Sequence, residues 1–167
     1  MAIHLRAAFL ALLMCLTAGA VAAQGTEVAF GGFQHDSSLP VEITADQLEV
    51  NQADGSARFT GNVLIGQGDM RLSANEVRVE YASGDDAAGR IERLLATGSV
   101  VLVSGSEAAE AQEAVYTIDS GNVVLSGDVL LTQGQNALSA NRMVLDLNTG
   151  TARMDGRVRT VLQSGDN

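Results

Sequence analysis

Lysine is missing from this chain of 167 residues, so all ten of its basic side chains are arginines, set against twenty acidic ones. Without lysine there is no Schiff-base or P-loop chemistry. With a formal charge of -10 there is too little clustered positive charge to neutralise nucleic-acid phosphates, so no nucleic-acid partner is expected. Aromatic residues make up 4% and tryptophan is absent, which leaves no stacking platform for bases or sugars. Cysteine occurs once, at Cys15, and histidine twice, at His4 and His35. Disulfides, thiolate metal sites and multi-histidine metal sites are therefore excluded, and neither a metal nor another cofactor is expected. Ser-His-Asp catalysis has little to stand on either. The single proline, Pro40, leaves the rest of the chain free of strand-breaking imino acids.

What the chain does contain is aliphatic residues and glycine, 46% hydrophobic overall with 18 glycines. Arg6, the apolar run Ala7 to Leu16 and the small residues Ala20-Val21-Ala22 predict a cleaved export signal over residues 1–22. Cys15 falls inside it, so the exported chain would hold no cysteine. Residues 23–39, with His35, predict a loose polar N-terminal segment; residues 40–163 predict one domain and 164–167 a disordered tail.

The glycines mark a repeat. Gly-x-Val recurs at Gly61, Gly98, Gly127 and Gly156, at spacings of 37, 29 and 29 residues, and Gly32 precedes Gly61 by 29. Seven residues after the first three of these come Gly68, Gly105 and Gly134, and thirteen after come Ala74-Asn75, Ala111-Gln112 and Ala140-Asn141. The eight extra residues of the longer repeat lie near Ser83 to Gly89, a polar loop composition.

Between these landmarks apolar residues alternate, as in strands with one dry face. Around each Gly-x-Val the dry face reads Phe59, Val63 and Ile65; Leu94, Ala96, Val100 and Leu102; Val123, Leu125, Val129 and Leu131; Ala152, Met154, Val158 and Leu162. In the second half of each repeat it reads Ile43, Ala45, Leu48 and Val50; Leu72, Ala74, Val77, Val79 and Tyr81; Ala109, Ala111, Ala114, Tyr116 and Ile118; Leu138, Ala140, Met143, Leu145 and Leu147. In these second halves the parity flips once, after the alanine, at Asp46, Asn75, Gln112 and Asn141. A strand keeps one face inward across such a flip only through a bulge or corner. The pattern predicts an all-β domain of stacked antiparallel rungs bent around a common aliphatic interior, with no significant helix.

The run Ile43-Thr44-Ala45-Asp46, the turn Phe59-Thr60-Gly61-Asn62-Val63, the Leu-Ser-Ala-Asn segments at 72–75 and 138–141 and Ser126-Gly127-Asp128-Val129 resemble the OstA-like lipopolysaccharide-transport family. The likeness runs from about Leu39 to Leu162. It implies a half-open, taco-like β-jelly-roll that resides in the periplasm, is not an enzyme, and carries lipopolysaccharide from the inner to the outer membrane as part of outer-membrane assembly. The lipid A acyl chains would lie against the interior residues, from Ile43, Leu48 and Val50 to Met143, Leu145 and Met154. The implied partners are a same-fold subunit anchored in the inner membrane and an outer-membrane translocon subunit, with end-to-end homo-oligomers as a further expectation. The missing lysine leaves phosphate contacts to Arg58, Arg71, Arg78, Arg90 or Arg93.

Physical reasoning alone suits an aliphatic lining to hydrocarbon chains, and the acidic exterior to leaving anionic heads in solvent. The edge from Thr151 to Leu162, carrying Arg153, Arg157 and Arg159, reads as a last strand able to accept another strand. Two other readings share the fold: the anchored partner subunit, and a β-solenoid scaffold that polymerises without ligand. A glycosidase built on Asp119, Asp128 or Asp146 is disfavoured, because those carboxylates fall in turns or on the wet face.

Overall fold

A computed structural model of the chain describes residues 26–29, 36, 38–53, 55–83 and 89–161. The predicted export signal, His35, the loop residues 84–88 and the tail lie outside them. The described residues form eleven strands: β1 (Thr26–Ala29), β2 (Glu42–Thr44), β3 (Gln47–Asn51), β4 (Ser56–Gln67), β5 (Met70–Tyr81), β6 (Ile91–Ser104), β7 (Glu107–Thr117), β8 (Asn122–Gln133), β9 (Asn136–Asp146), β10 (Thr151–Asp155) and β11 (Arg159–Val161). All pair antiparallel in one sheet, and β4 to β9 follow one another in sequence order. No described residue is helical. The all-β prediction holds, and its cause is the two-residue period of the aliphatic positions.

Each long strand is bent once. The register shifts between Thr60 and Val63, between Thr97 and Val100, and between Ser126 and Val129. At these points a glycine and its successor both take positive φ, for example Gly98 at 78° and Ser99 at 49°. The preceding rung fills the space beside the glycine: a Cβ on Gly98 would stand 2.7 Å from Asn75 Nδ2, and one on Gly127 would stand 2.8 Å from Gln112 Cβ. Only glycine meets both demands, positive φ and contact with a neighbouring side chain. The residues at the parity flips are thus those packed over the glycine corners of the next rung. Backbone bonds from Asp46 N to Gly61 O and from Asn141 N to Gly156 O tie two of these corners together.

The corners divide the sheet into two arms. The first runs through β3, the Ser56–Thr60 part of β4, the corresponding parts of β5 to β9, then β10 and β1. The second runs through β2, the Val63–Gln67 part of β4, its counterparts in β5 to β9, and β11. Their inner faces meet in one hydrophobic cluster extending from Ala57 to Met154.

Two features depart from expectation. The predicted last strand is split at Gly156 and Arg157, both at positive φ, into β10 and β11, so it turns the same corner as every rung before it. Within the N-terminal segment expected to be loose, Thr26–Ala29 pairs with Met154 to Thr151, so the outer edge of β10 carries a strand. A bare edge is a set of unmet backbone groups, and β1 meets those of β10.

Candidate functional site

The interior between the arms runs the length of the stack. Of the predicted lining residues, Val63, Ile65, Leu72, Val77, Val79, Leu94, Val100, Leu102, Tyr116, Leu125, Val129, Leu131, Leu138, Met143, Leu145 and Met154 are buried in it. Ile43, Phe59 and Ile118 pack against it while partly exposed. Leu48 and Val50 do not join the packed core. The register puts them opposite Phe59 and Ala57, on the inner face, yet they are 57% and 63% exposed. Their strand, β3, ends the stack of described residues, among which no further rung covers it. Tyr81 and Val158 also leave the predicted dry face, at 38% and 39% exposure. A register shift between Glu80 and Tyr81 turns the first outward, and the corner at Gly156 displaces the second.

The free ends of the two arms form a pair of lips. On the first arm the inner face at the lip is apolar, with Ala57, Val79, Val123 and Leu145. On the second arm the inner face ends mostly in polar side chains: Gln67, Ser104 and Glu107, buried, with Gln133 and Asn136 half-buried beside them and the buried Met70 opposite Gln67. Gln133 Nε2 donates to Glu107 Oε1 at 2.6 Å. The lips are joined where Tyr116 Oη, on the first arm, donates to Gln67 Oε1 at 2.8 Å. Gln67 Nε2 in turn donates to the carbonyl of Leu39 at 2.8 Å, just ahead of β2. Burial pushes the Tyr116 phenol up to about 12, the hydrogen bond to Gln67 offsetting part of that rise.

The polar lip was legible in the repeat, although the aliphatic pattern drew attention away from it. Gln67, Ser104 and Gln133 each stand six residues after a Gly-x-Val glycine, and Glu107 and Asn136 stand nine after one. A polar residue recurring on a dry face at a fixed repeat position is the signal.

The five arginines considered for phosphate binding are engaged elsewhere. Arg58 pairs with Glu76 at 3.5 Å, Arg78 and Arg93 with Glu80 at 3.8 and 2.6 Å, and Arg90 with Asp119 at 3.8 Å. Arg71 donates to the carbonyls of Gly68 and Met70 across its own hairpin turn. No three His, Cys, Asp or Glu side chains converge as a metal site would require among the described residues.

A stack of bent antiparallel rungs with a continuous aliphatic interior and a largely polar lip is a β-jelly-roll. Residues 42–151 match the family described as LptA/(LptD N-terminal domain) LPS transport protein, and the chain belongs to that family. The resemblance to OstA-like lipopolysaccharide-transport proteins thereby holds. The fold matches LptH, the LptA-homologous periplasmic component of the lipopolysaccharide transport device of Pseudomonas aeruginosa, with a TM-score of 0.68 at 19% identity. That match covers 77% of this chain and 99% of LptH. An uncharacterized protein of Rhizobium meliloti is 31% identical over 114 residues, 66% of this chain and 61% of the relative. The LPS-assembly protein LptD of Yersinia enterocolitica is 41% identical over 64 residues, 38% of this chain. The chain thus spans less than two thirds of the Rhizobium protein and 8% of LptD.

Proposed function

We propose that this protein is a periplasmic, non-enzymatic carrier that binds lipopolysaccharide and forms part of a bridge from the inner to the outer membrane. The observation that carries the reading is the continuous aliphatic interior, running from Phe59 to Met154 in a chain of this family. Hydrocarbon needs apolar surface and no directional bonds, and burying each methylene is worth about 0.8 kcal/mol. The side chains at the centre fill that interior, so acyl chains enter by parting the lips, and the Tyr116–Gln67 bond is the first contact to yield. Anionic head groups stay in solvent, since Arg58, Arg78, Arg90 and Arg93 are already paired with carboxylates.

The partners in this reading are same-fold subunits: one anchored in the inner membrane and one in the outer-membrane translocon. The bare inner face of β3, with Leu48 and Val50, is a surface for stacking the rung of a neighbour, whether a partner or a second copy.

Mass spectrometry of lipid bound to protein purified from periplasm tests this directly. Lipid A species should accompany the protein. Preparations repeatedly free of lipid would instead support the scaffold reading, to which the closed packing of the central rungs is the observation most favourable.

A further inference from the structure

Glu107 opens β7 on the inner face of the second arm and is 3% exposed. Its Oε1 is held by Gln133, but its Oε2 is buried without a hydrogen-bond partner. Ser104 stands directly opposite across the β6–β7 turn, and Gln133 directly opposite on β8. A buried acceptor with nothing to accept from is costly to keep, and the aliphatic positions around it show that this rung tolerates apolar residues well. Ala109 and Ala111 continue the same face inward. A donor arriving at the lip with an alkyl chain behind it meets both demands at once, its chain against the aliphatic interior and its N–H or O–H on Glu107.

We propose that Glu107, flanked by Ser104 and Gln133, is a subsite for the amide and hydroxyl groups near the sugar end of lipid acyl chains, with Oε2 accepting a ligand N–H or O–H. This rests on the reading that the interior takes acyl chains, and it adds selectivity to it. Amide-linked, hydroxylated chains are preferred over plain esters, because only the former bring donors to a buried acceptor.

The test uses the full exported chain stripped of lipid and two probes of equal chain length, measured by displacement of a fluorescent fatty-acyl reporter. 3-Hydroxytetradecanamide carries O–H and N–H donors; methyl tetradecanoate carries none. The wild type should bind the hydroxyamide about tenfold more tightly than the ester, and Glu107→Leu should bring that preference below about twofold. Glu107→Gln, whose one carbonyl is taken by Gln133 and which puts an amide NH2 in place of Oε2, should likewise lower the preference, and it carries the comparison should Glu107→Leu not fold. Equal affinity of the wild type for both probes, or an equal loss of both in Glu107→Leu, removes the subsite and leaves the carrier reading standing. If neither probe displaces the reporter, the carrier reading falls and the subsite with it.

Discussion

The central rungs and the N-terminal rung are built from the same kinds of residue in the same register, and they end in opposite surroundings. Leu125, Leu131, Met143 and Leu145 in the middle of the stack are fully buried, whereas Leu48 and Val50 on β3 are mostly exposed. Nothing in the local sequence separates them. Each faces inward opposite a residue of the next strand; the difference is that, among the described residues, central rungs have a neighbour on both sides and β3 has one. Burial in this fold is therefore supplied by stacking, as in repeat proteins generally. The C-terminal end differs again, because β1 already lies on β10, leaving β11 as the barer strand there.

The largest effect that sharpens this comparison comes from truncating matched leucines. Leu145→Ala should lower the free energy of unfolding by about 2–5 kcal/mol in urea titrations, through lost contacts and the cavity left behind. Leu48→Ala should cost less than about 1 kcal/mol in the isolated protein, since its side chain is already in water. Similar losses at both positions would mean that the end rung is covered in solution.

Tyr116 distinguishes the joined lips from the rest of the interior. The phenol is neutral when protonated and its folded-state value is raised, so the folded protein holds that proton more tightly than the unfolded chain. Its stabilisation is whole below the ordinary value of 10.0 and is lost as pH rises through about 12. The wild type should lose roughly 2–3 kcal/mol over that window in denaturation measured at successive pH values, and Tyr116→Phe should lack this component. An identical alkaline profile in the variant would place the phenol in water.

The corners offer a smaller effect with a local cause. Gly127→Ala should cost about 1–3 kcal/mol, since it forces a side chain into positive φ and against Gln112. Smallest is the outer face: Arg58→Gln should change stability by less than about 1 kcal/mol, because its pair with Glu76 is solvated.

Much of this arrangement was legible in the residues. The 29-residue glycine spacing and the parity flips at Asn75, Gln112 and Asn141 located the corners, because a bent strand leaves both marks at once. The dry face was legible down to individual residues in the central rungs, where period two holds on either side of each corner. It failed at Leu48 and Val50, since a strand's pattern states which way a side chain points and says nothing about whether another rung lies beyond it. It failed at Tyr81, where a second register shift carries no glycine to announce it. The pairing of β1 with β10 was hidden for a similar reason: its four residues carry no repeat landmark, and their partner lies more than a hundred residues away. Gln67, Glu107 and Gln133 were passed over because a search for an aliphatic face discards the polar positions that interrupt it.

The central claim is that acyl chains occupy the space between the arms. Photo-crosslinking residues placed at Val79 and Leu145 on the inner face, and at Thr60 and Ser126 on the outer face, test it in cells that make lipopolysaccharide. Lipid adducts at Val79 and Leu145, with none at Thr60 and Ser126, are the predicted result. Adducts confined to Thr60 and Ser126 would contradict it, and would place the lipid on the outside of a closed core.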